Sequence, residues 1–149
     1  MLHPIRFATF ALAIANLGAC QKTSVDPNEI CISYPPDTTT QLLGRWELTE
    51  ITNGMNGRTY PADPVQRHEI VFDASGQARM FLNGTVQSTA PFSLRQAPSY
   101  ITRQPEMFVV YGAVNGSTLQ FIAALSSSTL TIAIDAADGG SQTYTRRSL

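Results

Sequence analysis

The chain has 149 residues, 43% of them apolar, and a formal net charge of −1. That suffices for one domain with one modest core, and a mean hydropathy of −0.05 lacks the charge excess that keeps a chain unfolded. Near-neutral charge implies no basic surface, which argues against nucleic acid as a partner.

Met1 to Ala19 carries Arg6 in a short n-region, an apolar run from Phe7 to Ala15, and then Leu17-Gly18-Ala19-Cys20. The run is shorter than the roughly 20 apolar residues of a spanning helix but fits the h-region of a secretory signal. The tetrapeptide resembles the lipobox of bacterial lipoproteins. That resemblance implies cleavage before Cys20, lipid on its sulfur, and an acyl chain such as palmitate on its amine. Residues 1–19 are then a signal peptide, and losing Arg6 takes the net charge from −1 to −2. The resemblance also implies a lipid-anchored protein of the cell envelope, in the outer rather than the inner membrane, facing periplasm or cell surface. A plain secretory peptide with an incidental cysteine is the competing reading. With Cys20 lipidated, Cys31 has no intramolecular partner and reads as an incidental free thiol; a Cys20–Cys31 disulfide requires that lipidation fail.

Residues 20–41 are the lipidated cysteine and a flexible tether. Their composition turns to Lys, Thr, Ser, Asp, Asn and Pro, with Pro35-Pro36 and Thr38-Thr39-Thr40 and no apolar period. A threonine before Gln41-Leu42-Leu43 could cap one helical turn that plugs a barrel end; plain coil is the alternative.

From 42 to 149 the pattern is that of a β-domain organised around Gly44-Arg45-Trp46. The sole tryptophan sits where the first strand, Arg45 to Thr52, begins. Such an indole can bury about 150–250 Å² as a packing anchor. Asn53 to Gln66, with Asn53-Gly54, Asn56-Gly57, Pro61 and Pro64, reads as the longest loop. His68 to Asp73 and Gln77 to Leu82 form a hairpin across Asp73-Ala74-Ser75-Gly76. Asn83-Gly84 is the next turn, because type I′ hairpins need φ > 0 at both central residues; Asn115-Gly116 repeats the signal. Val86, Ser88, Ala90, Phe92 and Leu94 then alternate on one buried face. Tyr100 to Arg103 is a weak strand and Met107 to Val114 a nearly continuous apolar one. Leu119, Phe121, Ala123 and Leu125 are expected inward, followed by Leu130, Ile132 and Ile134. Gln142 to Arg147 closes the series, with Tyr144 and Arg146 on one face.

Short strands every eight to twelve residues or so, joined by tight turns, indicate an all-β antiparallel meander. Closing into an eight- or nine-stranded barrel removes edges that a sandwich would leave open, so the barrel is preferred.

Gly44-Arg45-Trp46 resembles the Gly-X-Trp motif of lipocalins. Ile70-Val71-Phe72-Asp73-Ala74-Ser75-Gly76 and Tyr144-Thr145-Arg146 resemble the small lipocalin-like lipoproteins of Bacteroidetes. The resemblance spans Leu42 to Arg147 and implies a lipocalin-like barrel whose closure set is Gly44, Trp46, Tyr144 and Arg146, with Arg146, or Arg147 after a bulge, covering the indole. The domain is shorter than a typical lipocalin and lacks the flanking C-terminal helix.

Strands of about 7 residues tilted near 40° give a barrel roughly 18 Å tall, room for few layers of side chains. Phe72, Phe92, Phe121, Tyr144 and Trp46 could fill it, while Ser88, Ala90, Gly112 and Ala123 would leave space. His68 and Glu69 point to opposite strand faces, the carboxylates are scattered, and there is no nucleophile elbow, phosphate loop or paired-cysteine spacing. A non-enzyme without cofactor or metal is expected. Two functions fit: a barrel binding a small apolar or amphipathic ligand from the end away from Trp46, or a filled barrel contacting another envelope protein as inhibitor or assembly factor. The ligand candidates are Val86, Ser88, Ala90 and Phe92, with Ser88 and Tyr100 supplying polar groups. A transmembrane barrel fits poorly, because Val86 to Leu94 reads polar outside.

Overall fold

The computed structural model describes residues 37–112 and 119–148. Helix α1 (Asp37–Leu42) precedes nine strands: β1 (Gly44–Thr52), β2 (Thr59–Pro61), β3 (His68–Phe72), β4 (Gln77–Leu82), β5 (Thr85–Pro98), β6 (Pro105–Tyr111), β7 (Gln120–Leu125), β8 (Thr129–Ile134) and β9 (Ser141–Arg147). All pairings are antiparallel and follow the order β2-β1-β3-β4-β5-β6-β7-β8-β9, with β1 also paired to β9. The result is an all-β meander closed into an eight-stranded barrel, with β2 outside it. The architecture is compatible with a lipocalin-like fold.

Local chemistry explains the hairpins. Asn83 and Gly84 adopt φ of 51° and 80°, the left-handed pair that a two-residue turn between β4 and β5 requires. Asn83 also accepts the Arg67 N–H on Oδ1 at 2.9 Å, extending the β3–β4 ladder by one rung. At the β3–β4 turn, Asp73 Oδ1 accepts from the amides of Ser75 and Gln77 and from the Ser75 hydroxyl. These bonds, led by that of Ser75, hold the Asp73 carboxyl below its ordinary value.

The barrel interior holds Leu42, Trp46, Leu48, Ile70, Phe72, Ala78, Val109, Leu130, Ile132 and Tyr144, with Phe92, Leu94, Tyr111, Ile122 and Leu125 packed against them. Phe92 meets Phe72 edge-on at 4.9 Å between ring centres. A second buried cluster of Phe108, Val110 and Phe121 lies on the opposite strand faces, since Phe108 and Val110 flank inward Val109.

Several expectations are corrected. The long loop after β1 contains β2, which pairs Glu50–Thr52 with Thr59–Pro61 where β3 no longer accompanies β1. Tyr100 to Arg103 is a hydrogen-bonded turn between β5 and β6 rather than a strand. In β7 the faces are reversed. Gln120 and Ile122 take the inner side, and Phe121 packs outside on Phe108, its cross-strand partner. A bulge at Ala123 then returns Leu125 inward opposite Leu130. Helix α1 starts inside the expected tether, so the folded unit begins by Asp37. Cys20, Cys31 and Asn115-Gly116 lie outside the described residues.

Candidate functional site

One end of the barrel is shut. Leu42 of α1 and Trp46 of β1 are both completely buried, and the indole N–H donates to the Leu42 carbonyl at 2.8 Å. The Arg146 guanidinium lies 4.1 Å above the Trp46 ring. Its Nη1 donates to the Leu43 carbonyl at 2.6 Å, its Nη2 to the Gln41 carbonyl, and its Nε to the Ser127 carbonyl at 2.7 Å. The last carbonyls of a helix have no partners of their own, and a cation there also complements the helix dipole. Trp46 and Arg146 thus satisfy the end of α1 and fasten it across the barrel mouth. Gly44 makes room for this: its φ is +129°, and a Cβ there would stand 2.5 Å from Arg146 Nη1. Tyr144 sits opposite Leu48 across the β1–β9 seam and is buried in the same core. The four closure residues are therefore assembled on one seam.

The other end is open. A cavity of about 440 Å³ is lined by Leu48, Ile51, Ile70, Met80, Tyr111, Ile132 and Tyr144, with Gln120, Gln142 and His68, and is bounded further by Asp63, Gln66, Glu69 and Phe81. Its polar groups are mostly neutral. The Tyr144 hydroxyl donates to Gln142 Oε1 at 2.6 Å, while the Tyr111 hydroxyl makes no hydrogen bond among the described residues. Burial pushes both phenols up, Tyr144 to about 12 and Tyr111 beyond that. Both stay protonated across the physiological range.

None of the five predicted ligand residues lines this cavity. Val86 is half-exposed on the outside, because Gln87 forms a bulge and Val86 pairs with Phe81, itself opposite Glu69 on the outer face. Ser88 keeps the inner register opposite Met80 but is exposed. Ala90 pairs with buried Ala78, and Phe92 fills the core beside Phe72. Tyr100 lies in the β5–β6 turn, 58% exposed. The residues that do line the cavity come from β1, β3, β4, β6, β7, β8 and β9 and, with Asp63 and Gln66, from the loop between β2 and β3. The only signal for them in the sequence is the inward set Leu48, Ile70, Ile132 and Tyr144, extended toward the end away from Trp46.

Outside the barrel, β1, β3 and β9 carry a charge network. Glu69, fully buried, accepts a hydrogen bond from Arg67 Nη2 at 2.9 Å on Oε1 and forms an ion pair with Arg45 Nε at 3.4 Å that is not a hydrogen bond. Glu47 receives Arg147 Nε at 2.9 Å and Arg67 Nε at 3.6 Å. The hydrogen bond from Arg147 holds Glu47 below its ordinary value, against the opposing effect of burial. Arg45 also lies 5.5 Å over the Phe81 ring.

A second cleft, of about 500 Å³, lies outside the shut end and includes Gly44, Asp73, Arg79, Arg146 and Arg147. Its arginines are engaged within the protein, Arg79 with Asp73 at 3.6 Å, Arg147 with Glu47, and Arg146 with the carbonyls described above. The β5–β6 turn is held separately by Asp135, whose carboxylate accepts from the Ser99 hydroxyl at 2.6 Å and from the amides of Tyr100 at 2.8 Å and Ile101 at 3.1 Å. Beyond this latch, Tyr100 and Ile101 are exposed and Arg103 stacks on the Tyr100 ring at 4.6 Å. Comparisons with protein families, with curated proteins and with solved structures find no match to this chain.

Proposed function

We propose that this protein is a lipid-anchored, lipocalin-like lipoprotein of the bacterial cell envelope whose barrel binds a small apolar or amphipathic molecule. The carrying observation is the cavity of about 440 Å³ at the end away from Trp46, within the range of about 300–1,000 Å³ typical of small-molecule pockets. A filled barrel would leave far less. Its wall combines the apolar side chains of Leu48, Ile51, Ile70, Met80, Phe81 and Ile132 with the polar groups of two tyrosines, three glutamines, His68, Asp63 and Glu69, a mixture suited to an amphipathic molecule. The anchor rests on Leu17-Gly18-Ala19-Cys20 and places the barrel at a membrane surface, the outer membrane in this reading, through lipid on Cys20. No catalytic step, cofactor or metal enters the proposal.

The test is uptake of an uncharged environment-sensitive fluorophore by the purified barrel. Wild type should bind it, and Met80→Trp, which places an indole in the cavity, should lose about tenfold or more in affinity while melting close to wild type. A folded wild type that takes up no fluorophore overturns the ligand reading. The envelope-interaction reading would then stand, favoured by the pinned Tyr100-Ile101-Arg103 tip, since aromatic and arginine side chains dominate interface hot spots. For the anchor, the intact mass of membrane-extracted protein should show a chain beginning at modified Cys20; an unmodified cysteine or a retained leader refutes it.

A further inference from the structure

We infer that the interior site selects an uncharged amphiphile with a hydrogen-bond-accepting head, such as an alcohol or amide, and discriminates against carboxylate-headed chains; this rests on the ligand reading above. Charge sets this selectivity. Among the described residues no lysine or arginine stands on the cavity wall, whose ionisable members other than the tyrosines are His68, Asp63 and Glu69. Glu69 is compensated by Arg67 and Arg45. Asp63 is exposed, makes no ion pair among the described residues, and uses Oδ1 to accept the Val65 amide at 2.8 Å. An anion entering here would approach an uncompensated carboxylate and find no lysine or arginine inside among the described residues. Removing a carboxylate from water without a charged partner is strongly unfavourable, and in practice the group neutralises or stays out.

The arginines that could have served an anion are elsewhere. Arg45, Arg67 and Arg147 lie in the outer network on Glu47 and Glu69, and Arg146 is spent on α1 at the shut end. Inside, the unengaged donors are the Tyr111 hydroxyl and the side-chain N–H groups of Gln120, Gln142 and His68, none of which has an acceptor among the described residues, whereas Gln142 Oε1 is already taken by Tyr144. A phenol with one unengaged O–H donates to a neutral oxygen without any ion pairing. That makes an ether, hydroxyl, ester or amide oxygen the matching head group.

The experiment competes matched chains against N-phenyl-1-naphthylamine bound to the wild-type barrel, below micelle concentrations and at a pH near 8, where carboxylic acids are ionised. Decanol should displace the fluorophore at least about tenfold more strongly than decanoate. Tyr111→Phe should weaken decanol by about three- to tenfold, the loss of one hydrogen bond. Gln120→Arg, which adds a cation to the wall, should raise decanoate relative to decanol. Decanoate competing as well as decanol in wild type overturns the inference while leaving the ligand reading intact. Failure of the wild type to bind the fluorophore, or to release it to any chain, overturns both.

Discussion

Trp46 and Arg146 show how one residue pair comes to hold two elements together. A cation–π contact alone is worth about 0.5–2 kcal/mol, and truncating a buried tryptophan costs about 3–5 kcal/mol. On the stack alone, Trp46→Ala should be much the worse variant. The guanidinium, however, also donates to the carbonyls of Gln41, Leu43 and Ser127. Hydrogen bonds to charged groups contribute up to roughly 1.5–3 kcal/mol each net of exchange with water, less where water reaches the freed carbonyls, as at the exposed Ser127 bond. Arg146→Ala is therefore expected to lose about 2–4 kcal/mol, close to Trp46→Ala. Arg146→Lys should recover less than half of that, because an ammonium keeps the charge and lacks the planar fork. Urea midpoints at unchanged slope measure these differences. An Arg146→Ala variant within about 0.5 kcal/mol of wild type would show that the guanidinium does not secure α1.

Single insertions decide what each strand presents. Bulges at Thr49 in β1, Gln87 in β5 and Ala123 in β7 each reset a two-residue period, which is why Val86 leaves the inner face. The β5–β6 turn depends in the same way on one carboxylate. Burial opposes ionisation of Asp135, but the bonds from Ser99, Tyr100 and Ile101, with Arg103 nearby, outweigh it and hold the carboxyl below its ordinary 3.8. A depressed value means that the latch stabilises fully above the unfolded pKa and is lost as pH falls through the folded one. In an acid titration followed by amide resonances, Tyr100 and Ile101 should shift together with a midpoint below 3.8, and Asp135→Asn should abolish the transition. A midpoint at or above the ordinary value would mean that these bonds do not stabilise the carboxylate.

At the scale of the whole molecule, the barrel is held unevenly. The closing seam runs from Arg45–Arg147 to Thr52–Ser141, whereas β6 and β7 pair only at Phe108–Phe121 and Val109–Gln120 among the described residues. Local opening follows such differences in pairing and burial. Native-state hydrogen exchange should therefore release β7 amides well before those of β1 and β9; uniform protection around the barrel would contradict this. The meander itself was legible without coordinates, since alternation and turn residues such as Asp73-Ala74-Ser75-Gly76 and Asn83-Gly84 act between chain neighbours. So was the shared face of Trp46 with Leu48 and of Tyr144 with Arg146, because closure must join first and last strands. Tertiary structure alone decided the rest. Each bulge is set by the partner strand rather than by local preference, so the inner side of β7 could not be read from its own apolar residues. The cavity wall joins Ile51, Met80, Tyr111, Gln120 and Gln142 from separate strands, and their meeting is fixed by the register at which the barrel closes, a property of all eight strands together.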